Sequence, residues 1–77
     1  MEITILAFGQ IAEIAGQQNW TMTGIADTDS LQQKLREVYP AVANVSFSIA
    51  VEKKIVKENT TLKPNATIAL LPAFSGG

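Results

Sequence analysis

Cysteine and histidine are both absent from this 77-residue chain. Without thiolate or imidazole, disulfides and ordinary zinc sites are excluded. The commonest general base and the thiol nucleophile are missing for the same reason. No glycine-rich phosphate loop joins a strand to a helix. An excess of one charge is also lacking: six basic and seven acidic residues leave a net charge of −1. A general nucleic-acid binder would be clearly basic. No apolar run approaches the roughly 20 residues of a membrane span. The opening "MEITILAF" has no basic leader and reads directly into a strand. Repeats, low-complexity tracts and internal linkers are missing too. These absences predict one soluble, cytoplasmic domain with no membrane or nucleic-acid partner. They also predict no stably bound cofactor, no metal, and no catalytic turnover by the chain alone.

What is present is apolar. Hydrophobic residues make up 47% of the sequence. A domain of this size buries only about 60–65% of the surface its unfolded chain exposes, and no staple helps it. Stability must come from the core. The apolar fraction can also exceed what the interior holds, which leaves a patch for a partner.

Residues 2–8, "EITILAF", carry apolar groups on both faces and read as a central strand. In "GQIAEIAG", Ile11, Ile14 and Ala15 stand at helical spacing before Gly16, which predicts a short helix at about 10–15. A second strand over 18–23 should run antiparallel to the first. "DTDSLQQKLREVYP" is the main helix. Asp27, Thr28 and Asp29 all suit its N-cap, and Asp29 with Gln32 fits a capping box. Leu31, Leu35 and Val38 form the stripe to be buried, with Gln33, Lys34 and Glu37 toward water. Pro40 ends the helix. A strand at 47–51, a charged tip at 52–54, a short strand at 55–57 and a turn at 63–65 follow. Asn65 in that turn suits a left-handed conformation. The last strand, "ATIALL", is apolar throughout, and Pro72, with no N–H to donate, should release the chain from the sheet.

The order is β-β-α-β-β-β with a small helix inside the first hairpin. The two most apolar strands, first and last, should lie side by side at the centre. A right-handed crossover through the helix makes that pair parallel. The fold class is therefore α+β: a β-grasp (ubiquitin-like) mixed sheet wrapped on one main helix. Residues 1–72 form the domain, and 73–77 leave the sheet centre as a flexible reactive tail.

Chemistry outside the tail is sparse. Asp27 and Asp29 sit where a helix needs caps rather than where a metal needs ligands. Lys53 and Lys54 read as a solvated hairpin tip before they read as a phosphate contact. Trp20 reads as packing and Phe47 as core. Phe8 ends a strand and is a reasonable patch member. Ile55 and Leu71 are equally readable as core.

The tail is different. It runs Pro72-Ala73-Phe74-Ser75-Gly76-Gly77. A terminal carboxylate is ionised at neutral pH and is a poor electrophile until a partner transfers AMP to it. A sulfur nucleophile can then displace AMP and leave a thiocarboxylate, or an amine or thiol can be acylated. Glycine lacks Cβ, so it passes a narrow channel and adopts any backbone angle. Pro72 stiffens the base of the arm and limits the entropy lost on insertion. An incidental, disordered end does not explain why the glycines follow this strand and this proline.

"LLPAFSGG" after an apolar strand resembles the small, sulfur-carrier (MoaD-type) subunit of molybdopterin synthase, in the MoaD/ThiS ubiquitin-like family. The resemblance covers the whole chain, including "ITILAFGQIAEIAG" and the helix ending in "YP". The insertion "FGQIAEIAG" separates it from the shorter thiamine-pathway carriers. Some positions depart from the family habit. Pro72 is followed by Ala73 rather than a second proline, and the turn reads Pro64-Asn65-Ala66 rather than Asp-Gly-Asp. Ala12 stands where many members have a basic residue.

The resemblance implies that an E1-like (MoeB-like) enzyme, using ATP and Mg²⁺, adenylates the Gly77 carboxylate, which becomes a thiocarboxylate. The loaded tail then enters the large (MoaE-like) catalytic subunit, in a heterotetramer of two small and two large subunits. It gives its sulfur there to cyclic pyranopterin monophosphate. Phe8, Ile55 and Leu71 match the family's apolar partner patch, and Pro72, Phe74, Ser75 and Gly76 belong to the inserted arm. Three other readings stand beside it: a carrier for thiamine or thiolated tRNA, a ubiquitin-like protein modifier, and an interaction module with an incidental tail.

Overall fold

The computed structural model describes residues 2–72. In chain order the elements are β1 (Glu2–Ala7), α1 (Gly9–Ala15), β2 (Asn19–Thr23), α2 (Thr28–Val38), a 3-10 turn (Pro40–Asn44), β3 (Phe47–Val51), β4 (Lys54–Val56) and β5 (Thr67–Pro72). The strands form one sheet in the order β2-β1-β5-β3-β4. The central pair β1 and β5 is parallel, with Thr4 opposite Thr67 and Ala7 opposite Leu70. The other neighbours are antiparallel. Two apolar strands from the chain's two ends thus meet at the sheet centre, as the β-grasp reading predicts.

Alternation along each strand sorts the side chains onto two faces. Ile3, Ile5 and Ala7 of β1 and Ile68 and Leu70 of β5 are buried on one face. That face packs with Ile11 of α1, Leu31 and Leu35 of α2, and Val42, Leu62 and Ala66. Fully burying an aliphatic side chain of this size contributes about 1.5–3 kcal/mol, so this single cluster carries the domain. Among the described residues no helix covers the opposite face.

Turn chemistry fixes the register. Glu52 and Lys53 both have positive φ (50° and 72°), the combination that a tight two-residue hairpin requires. The Glu52 side chain accepts from the Thr67 N–H at 2.7 Å, which ties the tip to β5. Asn65 has φ 65° and donates its N–H to the Glu2 carbonyl at 2.7 Å, so the turn before β5 also aligns it on β1.

Three expectations need correcting, and one element was not expected. Val38 is 50% exposed. The helix stops there, Tyr39 leaves helical geometry at φ −127°, and Tyr39 and Val42 take the space against the core. The N-cap is Asp27, whose carboxylate accepts from the Ser30 N–H at 2.8 Å, so no box forms between Asp29 and Gln32. Pro72 still belongs to the strand, one residue past the expected stretch 66–71. It is the last residue of β5 and sits opposite Phe47 of β3. An imide nitrogen lacks only the donor, and the strand geometry survives that loss at the final rung. The turn at Pro40–Asn44 had no counterpart in the periodicity, since five residues are too few to show one.

Candidate functional site

The uncovered face of the sheet gathers the predicted patch. Cross-strand register places Leu6 of β1, Ala69 of β5, Ala50 of β3 and Ile55 of β4 in one row across four strands. The next row holds Leu71 beside Ser48. Phe8 extends β1 by one residue in extended geometry (φ −131°, ψ 155°), so it falls on this face too. Its N–H donates to the Leu70 carbonyl at 3.2 Å, which locks it beside β5. Phe8 is 47% exposed and Ile55 58% exposed, while Leu71 is half-buried. Ile55 and Leu71, which read equally as core, therefore belong to the open face and not to the buried cluster. Phe8 and Leu71 stand on neighbouring strands of this face, and Ile55 lies on the same face at the far edge strand.

Pro72 stands on the other, helix-covered face, at the end of the same strand. Gly9 opens α1 directly against it. A Cβ built on Gly9 would lie 3.1 Å from Pro72 Cγ and 3.5 Å from Pro72 Cβ. Gly9 was not singled out by sequence reasoning. A glycine between a strand and a helix reads as an ordinary turn, and nothing in the sequence tells that the other end of the chain lies against it. Phe74, Ser75, Gly76 and Gly77, predicted as the inserted arm and the reacting group, lie outside the described residues.

The charged candidates have structural partners. The Asp27 carboxylate caps α2 and accepts from the Asn59 amide at 3.3 Å. Bonds from the Ser30 hydroxyl, the Ser30 N–H and the Asn59 amide hold its pKa below the ordinary carboxylate value. The Asp29 N–H donates to the Asn59 side-chain oxygen at 2.9 Å. Thr28, the buried polar residue of this region, accepts from the Thr60 N–H at 2.9 Å. Lys53 and Lys54 are exposed at the β3–β4 tip. Trp20 packs edge-on against Tyr39, with ring centres 6.1 Å apart, which agrees with its reading as packing. Phe47, read as core, is half-buried and lies against the core cluster. Among the described residues no helix is long and apolar enough to cross a membrane.

Comparison with known proteins adds the family. The sequence profile of the ThiS family matches residues 5–77. Three solved structures share the fold. A putative molybdopterin converting factor subunit 1 from Pyrococcus furiosus has a TM-score of 0.82 at 14% identity, over 95% of this chain and 99% of that one. Small archaeal modifier protein 1 from Methanosarcina acetivorans has a TM-score of 0.81 at 23% identity, over 99% and 96%. A chain in the complex of subunits 1 and 2 of the molybdopterin-converting factor from Helicobacter pylori has a TM-score of 0.73 at 26% identity, over 100% of both. With the profile matching nearly its whole length on a β-grasp sheet, the chain belongs to the ThiS family of ubiquitin-like, sulfur-carrier domains.

Proposed function

We propose that the protein carries sulfur for molybdenum cofactor synthesis, with the Gly77 carboxylate as the working group. The observation that carries this is the family match running through Gly77, on a sheet whose central strand ends five residues earlier at Pro72. The reading requires Gly77 to be the terminal residue of the working protein. The Helicobacter pylori neighbour, a complex of subunits 1 and 2 of its molybdopterin-converting factor, supports the pathway and a large-subunit partner.

In this reading an adenylating enzyme docks on the open face at Phe8, Leu71 and Ile55. A Gly77 carboxylate oxygen attacks the α-phosphorus of Mg²⁺-bound ATP, and pyrophosphate leaves. A hydrosulfide-level donor attacks the carbonyl carbon, and AMP leaves with the oxygen, giving the thiocarboxylate. The same face then meets the large synthase subunit in a cytoplasmic heterotetramer of two small and two large subunits. There the thiocarboxylate sulfur attacks an electrophilic carbon of cyclic pyranopterin monophosphate, the C–O bond at that carbon breaks, and the oxygen leaving group departs with the electron pair. Water hydrolyses the resulting thioester, restores the Gly77 carboxylate and leaves sulfur on the substrate. In this reading the partner supplies the acid–base groups, and this chain, which has neither His nor Cys, supplies the reacting carboxylate.

The test is intact mass. Protein from its native cell should end at Gly77. With its adenylating enzyme, Mg²⁺-ATP and a sulfur source it should exchange one oxygen for sulfur, and the loaded form should convert cyclic pyranopterin monophosphate only with the large subunit present. A lysine-linked conjugate instead of a thiocarboxylate would replace this reading with protein modification.

A further inference from the structure

Among the described residues three glycines have positive φ: Gly9 (60°), Gly16 (73°) and Gly24 (75°). Backbone conformation alone accounts for glycine at each. Only Gly9 has a second constraint. Nothing lies within 4 Å of a Cβ built on Gly16 or Gly24, whereas on Gly9 it would stand 3.1 Å from Pro72 Cγ. Pro72 is held from the other side by its place opposite Phe47. A side chain at position 9 therefore has to move the proline, the helix start, or both.

We propose that Gly9 is a positioning residue for the C-terminal arm. Its bare Cα lets Pro72 seat against the start of α1. It thereby fixes the offset between the docking face at Phe8 and the point from which residues 73–77 depart. The proposal rests on the sulfur-carrier reading. Phe8 and Gly9 are consecutive, and Phe8 is bonded to β5 through Leu70, so docking face and arm base form one unit. A partner that grips the face and receives the arm reads that offset directly. Once five residues are threaded extended into a partner's channel, a reach of about 17 Å, a shift of Pro72 is passed on to the terminal carboxylate, and displacements of about 1 Å already cost on the order of 100-fold when reacting atoms must meet.

The test compares Gly9→Ala, Gly16→Ala, Pro72→Ala and the Gly9→Ala/Pro72→Ala pair. Each is loaded by the adenylating enzyme with Mg²⁺-ATP and hydrosulfide, over a range of carrier concentrations, with intact mass as the readout. Gly9→Ala and Gly16→Ala both force alanine into positive φ, so their melting temperatures should fall alike. Only Gly9→Ala should lower the maximal loading rate, by roughly ten-fold or more, with half-saturation within about two-fold of wild type. With the proline ring already removed, adding Gly9→Ala should cost less than about two-fold. Gly9→Asn provides a second variant, since asparagine tolerates the left-handed region but carries the same Cβ; it should slow loading as Gly9→Ala does. Wild-type maximal rates in Gly9→Ala or Gly9→Asn, equal slowing by Gly16→Ala, or an undiminished Gly9→Ala effect beside Pro72→Ala would each overturn the proposal. If wild type itself is not loaded, the sulfur-carrier reading falls and takes this one with it. If wild type loads and Gly9→Ala loads as fast, only the positioning role falls.

Discussion

Where α2 begins, Asp27, Thr28, Asp29, Ser30, Asn59 and Thr60 are joined by a mesh of polar bonds between 2.8 and 3.3 Å long. Where β1 and β5 finish, Gly9 leaves no room for a side chain against Pro72, and the Phe8 N–H bonds the Leu70 carbonyl. The first region pins an irregular loop onto a helix start, a task that needs directional bonds, and the buried Thr28 hydroxyl finds its partners there. The second presents apolar surface beside a chain end. Its groups lose little on leaving water, so a partner can cover them without breaking polar bonds. On the proposed reading the polar mesh anchors a loop and the apolar region meets a partner, so a change in one should leave the other's property intact.

Deleting Gly77 tests this separation hardest. It draws the carboxylate back by one residue, about 3.3–3.6 Å, and should abolish thiocarboxylate formation in the mass assay. The urea midpoint should stay at the wild-type value. Gly76→Val should act in the same direction by adding a branched Cβ to the arm. Phe8→Asp comes next. As a central anchor it should weaken binding to the large subunit by about 2–4 kcal/mol in calorimetry, with the circular dichroism spectrum unchanged. A collapsed fold or unchanged binding would remove Phe8 from the docking face.

Asn59→Ala addresses the opposite region. It removes bonds to Thr28, Asp29 and Asp27, and should cost about 1 kcal/mol of unfolding free energy without slowing loading. Loss of loading would show that the two regions are coupled. The smallest effect concerns Asp27. Its folded-state pKa is lowered, so its contribution is complete above about pH 4, the ordinary aspartate value. That contribution is lost as pH falls through the lower folded-state value. Asp27→Asn keeps the cap acceptor, and its melting temperature should fall less steeply with acid than that of wild type.

The central strands were legible in the sequence because "EITILAF" and "ATIALL" are its most apolar strand-like runs, although their second face is open rather than covered. Asn65 was legible as a left-handed residue through its side chain, and the element order limited the topology to few choices. What could not be read depends on contacts distant in sequence. Val38 fits the helical stripe, but Tyr39 and Val42 take its place against the core. Ile55 alternates like a core residue, yet strand pairing puts it on the uncovered face. Asp29 and Gln32 have capping-box spacing, but the helix starts one cap earlier because Asp27 can also reach Asn59. Gly9 looked ordinary until Pro72, 63 positions later, came to lie on it.

The place of β5 has a mechanical consequence. It is flanked by β1 over four paired positions and by β3 over five. A pull on the chain beyond Pro72 acts along the strand axis, while the ladder hydrogen bonds lie across that axis or slanted to it. The load is then borne in shear by bonds on both sides at once, instead of opening them one after another from an edge. Traction on the C-terminal arm, as when it is withdrawn from a tight channel, is thus transmitted to the whole sheet before any single strand can peel away.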